Sequence, residues 1–192
     1  MDWGSAVTAF VVVFPAELPD KTMVATLVLT TRYRRPLAVW CGAVSAFAVH
    51  VTLAVLAGSL LARLPARVVD VVAGVLFAVG AIVLWREDDV PDENKLAVVE
   101  SRSAVRVAAA AGSVILVAEF GDLTQLATAG VAARTGDPLP VAVGAWLALA
   151  TVAAIAVTAG RAVLAHLPIR VVRRVAAVVF ALLALASFAG LG

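Results

Sequence analysis

Two short stretches of the sequence place acidic and hydroxyl side chains inside apolar surroundings. The first is ELPDKT at residues 17–22 and the second is EFGDLTQ at residues 119–125. Carboxylate, hydroxyl and amide oxygens are the ligands that hard divalent cations prefer, and paired acids can also transfer protons. The acidic and hydroxyl residues recur at a constant offset of 102 positions, which pairs Glu17 with Glu119, Asp20 with Asp122 and Thr22 with Thr124.

The oxygen donors predict a hard cation such as Ca2+, Mn2+ or Mg2+. No cysteine or histidine adjoins either stretch in the sequence, which disfavours Zn2+ and Cu+. Lys21 is interpreted as a charge partner of the acids, and His50 as a buried polar group, with a proton relay as the alternative. No bound cofactor is predicted. The predicted cation ligands are Glu17, Asp20, Thr22, Glu119, Asp122, Thr124 and Gln125.

The composition around these stretches is that of a membrane protein. Hydrophobic residues make up 63% of the 192 residues and charged residues 15%, and the mean hydropathy is +1.04. A soluble domain has roughly 45–50% apolar and about 25% charged residues. We therefore predict an all-α, polytopic membrane protein in which six apolar segments of transmembrane length cross the bilayer. These segments are residues 5–31, 37–61, 67–85, 104–133, 140–164 and 169–191.

The offset of 102 divides the chain into two copies of one three-helix unit. Beyond the acidic stretches it also pairs Gly42 with Gly144, and with a one-residue slip it pairs Phe77 with Phe180. Three spans per copy force the copies into opposite orientations, which is the inverted-repeat plan of many secondary transporters. We therefore predict a single transmembrane domain over residues 1–192, with repeats at 1–86 and 104–192 joined by a cytoplasmic linker at 87–103.

The acidic stretches fall at the centres of the first and fourth segments. In a continuous helix each acidic pair, spaced i and i+3, lies on one face. Four ionised carboxylates at the bilayer centre cost roughly 10 kcal/mol unless they share a polar cavity, a cation or protons. Pro19 and Gly121 weaken the two helices at equivalent positions, so the backbone there is expected to be interrupted where it lines that cavity.

The distribution of basic residues predicts the orientation in the membrane. Placing both termini outside the cell leaves most Lys and Arg residues in the cytoplasmic connections, with only Arg63, Arg67 and Arg134 outside. We accordingly expect a multi-pass protein of the plasma or bacterial inner membrane. The basic residues lie at segment ends, so nucleic-acid binding is not expected. Partners are the divalent cation and the lipid bilayer, and a homo-oligomer is left open.

The doubled stretches resemble a known transporter family. The pattern Glu-x-Gly-Asp-Lys/Arg-Thr/Ser, repeated on the first helix of two three-helix repeats, is similar to that of the Golgi, chloroplast and bacterial manganese/calcium transporters. The resemblance implies a secondary transporter that exports Mn2+ or Ca2+ from the cytosol in exchange for protons, with the motif acids as the transport site. This chain departs from the pattern at Pro19, which replaces a glycine, and at Leu123, which replaces a basic residue.

Three other functions are compatible with paired acids in a membrane. An acid-lined cation channel would conduct passively without proton coupling, and a small amino-acid exporter would respond to amino acids rather than metals. An intramembrane enzyme is disfavoured because no activated nucleophile or metal-binding histidine adjoins the stretches. The sequence therefore predicts a transporter and not an enzyme.

Overall fold

The computed structural model of the chain describes residues 3–18, 21–86, 103–166 and 169–190. These residues form helices joined by turns, so the all-α prediction is confirmed for the described part of the chain. Eight helices lie within it: α1 Trp3–Glu17, α2 Lys21–Tyr33, α3 Pro36–Leu61, α4 Ala66–Arg86, α5 Ala104–Ala118, α6 Leu123–Thr135, α7 Pro138–His166 and α8 Ile169–Phe188. The predicted cytoplasmic linker lies outside the described residues except for Ser103.

The helix boundaries follow local sequence signals. α3 begins at Pro36, where a missing backbone N–H and a fixed φ suit the first helical position. α6 ends before Gly136, whose φ of +66° is left-handed and whose N–H donates to the carbonyl of Ala132. The first and fourth apolar segments, expected to be weakened at Pro19 and Gly121, each form two helices rather than one.

Two described helical stretches are long and apolar enough to cross a membrane, namely Pro36–Leu61 and Pro138–Ala159. A third crossing is added if α5 and α6, which meet at a bend of 75°, count as one broken span. An all-helical membrane protein agrees with these lengths. The arrangement of six spans remains a prediction.

The helices pack in pairs that follow the offset of 102. α1 packs against α7 as α5 packs against α3, and α4 packs against α8. At the α3–α5 contact Gly42 lies against the backbone of Ala108, and at the α1–α7 contact Gly144 lies against the backbone of Ala6. A glycine at each crossing lets the two backbones approach closely.

Two tryptophans link α3 to α7 at the centre of the fold. The Trp40 indole N–H donates to the carbonyl of Ala150 at 3.0 Å, and the Trp146 indole donates to that of Val44 at 3.1 Å. Since the higher-numbered position on α3 faces the lower-numbered one on α7, these helices are antiparallel. α3 and α7 also contact α1, α2, α5 and α6. They therefore position the two breaks that carry the acidic residues.

Candidate metal-binding site

The second acidic stretch forms the break between α5 and α6. Glu119 follows the last residue of α5, Gly121 has a φ of +78°, and Asp122 precedes the first residue of α6. The Asp122 N–H donates to the Glu119 carbonyl at 3.2 Å, which closes a turn. The prediction that this acidic pair shares one face of a continuous helix is therefore wrong. α5 ends just before Glu119, and the left-handed Gly121 turns the chain between the two acids.

The first acidic stretch forms the break between α1 and α2. Glu17 is the last residue of α1, the Leu18 N–H still donates to the Phe14 carbonyl at 3.1 Å, and α2 begins at Lys21. Pro19, Asp20 and the side chain of Lys21 lie outside the described residues. The roles predicted for Asp20 and Lys21 therefore stay predictions.

Three of the predicted acids come together across the two breaks. Glu17, Glu119 and Asp122 each offer one carboxylate oxygen, and these oxygens lie within 4.8 Å of one another. Glu17 is 1% exposed and Glu119 is 5% exposed. Buried like charges at this separation repel one another unless protons or a cation neutralise them. The arrangement therefore suits a site that alternates between binding protons and binding a metal ion.

The predicted hydroxyl ligands Thr22 and Thr124 are both buried, on α2 and α6, and of the two Thr124 lines the cavity beside the carboxylates. Thr22 is 1% exposed, and its hydroxyl has no hydrogen-bond partner within the described part of the chain. Thr124 is also buried and lines a small cavity together with Glu17 and Glu119. The cavity has room for about one water molecule or bare ion.

Gln125 is placed at the site, but its amide is already engaged with the protein. Its Nε2 donates to the Glu119 carbonyl at 2.7 Å, and its Oε1 accepts from the Gly121 N–H at 3.3 Å. These two backbone partners fix which end of the amide is the donor. In this conformation Gln125 bridges the α5–α6 break. Its oxygen, which was predicted to bind the cation, accepts a hydrogen bond from the Gly121 N–H instead.

His50 is a residue of the site that sequence spacing did not identify. It lies on α3, is 2% exposed, lines the cavity, and has its Nδ1 at 2.7 Å from Gln125 Nε2. Because Gln125 Nε2 is a donor, Nδ1 accepts and the ring proton sits on Nε2. The only sequence signal was a polar residue in the middle of an apolar segment. The remaining lining residues are Phe47, Val51, Ala54, Thr128 and Leu149.

Comparison with known protein families gives a match over most of the chain. The family model described as divalent cation/proton antiporter GDT1 matches residues 5–92 and 107–190 of the chain. Comparisons with curated proteins and with solved structures gave no match. The family match covers both acidic stretches and both predicted repeats.

Proposed function

The chain belongs to the divalent cation/proton antiporter family, and from this premise we propose that it exports Mn2+ or Ca2+ through the carboxylate cluster at the two helix breaks. Membership of this family makes the protein a transporter and not an enzyme. The cation is its substrate and protons are the exchanged ions. The observation that carries the proposed site is the approach of Glu17, Glu119 and Asp122 oxygens to within 4.8 Å of one another.

The donor atoms around the cluster favour a hard divalent ion. The carboxylates of Glu17, Glu119 and Asp122 offer oxygen, as do the buried hydroxyls of Thr22 and Thr124. Ca2+ takes six to eight oxygen ligands, and Mn2+ and Mg2+ also suit carboxylate, carbonyl and water oxygen. We propose that Asp20 completes the set as the fourth acid, because it stands at the position equivalent to Asp122.

Exchange follows from the charge of the site. Crowded, buried carboxylates cannot all ionise without a counter-charge, so protons and the divalent cation compete for the same oxygens. A cation that enters from the cytosol displaces protons. When the site opens to the other side, protons bind the carboxylates again and expel the cation. The proton in this scheme is therefore the competitor that releases the substrate.

We propose that the eight helices make six spans in two inverted repeats. Support comes from reciprocal contacts at the offset of 102, since Gly42 meets Ala108 where Gly144 meets Ala6. Phe77 and Phe180, which match after a one-residue slip, also contact each other, with ring centroids 5.9 Å apart. A pseudo-two-fold axis between the repeats accounts for equivalent residues that meet their own counterparts.

Cation uptake driven by a pH gradient tests this function. Purified protein in vesicles that contain a dye for Mn2+ or Ca2+ is given an acidic vesicle interior, so that outward proton flow drives cation uptake. We expect faster uptake with the gradient than without it. Uptake that ignores the gradient would point to a channel and contradict antiport in this protein. Uptake driven by an amino acid and not by a metal would favour an exporter of amino acids.

Substitutions test whether cation uptake depends on the three acids of the cluster rather than on acidic residues elsewhere. Substitutions of metal-site partners outside the ligand shell typically cost 10–100-fold in affinity or activity, so we expect E17Q, E119Q and D122N each to slow uptake at least ~10-fold. Asp137 lies between α6 and α7, away from the cluster, and D137N serves as the matched control with unchanged uptake. If the three cluster variants transport as well as D137N does, the proposed site is wrong.

A further inference from the structure

The cavity at the carboxylate cluster is lined mainly by one of two equivalent sets of described residues. On α3 it is lined by Phe47, His50, Val51 and Ala54, and on α6 by Thr124, Gln125 and Thr128. The equivalent positions, at the offset of 102, are Leu149, Val152, Ala153 and Ala156 on α7 and Thr22, Met23 and Thr26 on α2. All of these equivalents are described, yet only Leu149 lines the cavity.

Helix directions show which way each half faces. α3 and α6 run side by side in the same direction, because His50 contacts Gln125 and, further along both helices, Gly58 lies against Ala132. The cavity therefore lies between the cluster and the helix ends at Leu61 and Thr135, which we call the Leu61 face. α7 is antiparallel to α3, so Val152 and Ala156 lead towards the opposite end.

The second half faces that opposite end, where α2 ends at Tyr33 and α7 ends at His166, and which we call the Tyr33 face. In this half, Met23 of α2 packs in one cluster with Val152 and Ala156 of α7. Their exposed fractions are 0%, 1% and 0%. Phe14, Leu18 and Ile155 pack around them. The side chains of Met23, Val152 and Ala156 are all apolar, and they stand at positions equivalent to lining residues of the cavity.

The two halves differ in chemistry at matched positions. Met23 stands where the second repeat has Gln125, and Val152 stands where the first repeat has His50. A hydrogen-bonded polar pair therefore lies beside the cavity, and an apolar pair lies on the closed side. Polar side chains tolerate water and ions beside them, whereas an apolar constriction excludes both.

We propose that Met23, Val152 and Ala156 form a hydrophobic gate that closes the cation site towards the Tyr33 face. The His50–Gln125 pair lines the cavity, on the side towards the Leu61 face. The gate must separate for the site to exchange ions with the Tyr33 face, and this requirement rests on the transport function proposed above. Because the two halves differ in chemistry, the state open to the Tyr33 face and the state open to the Leu61 face differ in free energy.

Equivalent alanines provide a matched pair of reporters for this gate. Ala54 lies on the cavity side and Ala156 in the gate, at the offset of 102. In a background in which the exposed Cys41 is replaced by alanine, A54C and A156C each carry one thiol. The purified variants in detergent are treated with a small, water-soluble thiol reagent that reaches both faces of the protein. Labelling after denaturation measures total thiol, and a cooperative thermal unfolding transition in detergent shows that each variant is folded.

We expect A54C to be labelled and A156C to be protected. If the gate opens only in a minor conformer of roughly 0.1–10% population, A156C reacts at least ~10-fold more slowly than A54C. Equal labelling of the two variants, or labelling of neither, would overturn the proposal. Should A156C fail to fold, V51C and A153C are a second equivalent pair on the same two sides.

Converting the gate to the chemistry of the other half gives the complementary test. The double substitution M23Q and V152H copies the Gln125–His50 pair into the closed half, and we expect A156C labelling to rise towards that of A54C. Unchanged protection would contradict the gate. Labelling does not depend on transport, so protection of A156C without pH-driven uptake would leave the gate standing and reject the antiport. Equal labelling of A54C and A156C together with pH-driven uptake would reject the gate and support the antiport.

Discussion

Replacing Gly144 with alanine tests the close approach of α1 and α7. A Cβ added at Gly144 would lie 2.7 Å from the carbonyl carbon of Ala6 and closer still to its oxygen, whereas ordinary contact begins at 3.4 Å. The two helices must therefore separate by at least about 0.7 Å. Both partners are backbone atoms that cannot rotate away, so we expect a cost near the upper end of overpacking, about 3 kcal/mol.

The equivalent substitution at Gly42 provides the internal comparison. A Cβ there would lie 3.0 Å from the carbonyl carbon of Ala108 and 2.9 Å from the N of Gly112, so G42A should destabilise the protein by a similar amount. For a chain of this size about 3 kcal/mol corresponds to a fall of roughly 6–12 °C in the unfolding temperature. Thermal unfolding in detergent, followed by circular dichroism, measures this fall.

Gly136 supplies the control for the effect of adding a methyl group. It has no heavy atom within 4 Å of an added Cβ, and only its positive φ of +66° opposes substitution. G136A should therefore cost about 1–2 kcal/mol. If G144A unfolds at the temperature of the unsubstituted protein, α1 and α7 do not cross backbone to backbone. A loss in G144A without a similar loss in G42A would contradict equivalent packing in the two repeats.

Two further matched pairs follow from the same geometry. Gly121 and Gly136 both have positive φ and open surroundings, so G121A and G136A should each lose about 1–2 kcal/mol of stability, but only G121A, at the break beside the carboxylates, should slow cation uptake. Equal uptake by the two variants would show that the turn is not needed for transport. W40F and W146F each remove one indole-to-carbonyl hydrogen bond, and each should lower the unfolding temperature by roughly 2–4 °C, for about 1 kcal/mol. A fall in one variant alone would show that the two bonds are not equivalent.

Helix positions could be predicted from hydropathy, but the helix breaks could be located only approximately. The second segment was expected at residues 37–61 and α3 spans Pro36–Leu61, because a proline start and a continuous apolar run define it. The fourth segment was expected at residues 104–133, and this region instead holds α5 and α6, which together end at Thr135. A break of a few residues barely changes the average hydropathy, and the φ of Gly121 depends on its surroundings.

The approach of the described acids agrees with the offset of 102, from which we predicted that equivalent residues of two repeats meet. Glu17 and Glu119 meet as their equal offset indicated. The contact of Gln125 with His50 was not predictable, since 75 positions separate them and the repeat assigns Met23 and Val152 to their places. Repeat matching identifies shared positions, and it gives no information where the two copies have diverged in chemistry.

The contact between Phe77 and Phe180 has a consequence for symmetry. Their rings meet at 88°, so one ring presents its edge and the other its face, although the two residues occupy matching positions. Two identical groups on a two-fold axis cannot hold an edge-to-face pose without breaking that symmetry. The rings also have different neighbours, since Phe180 lies over Gly80 and Phe77 lies against Gly130. The contact between α4 and α8 is therefore asymmetric even where the two matched residues are identical.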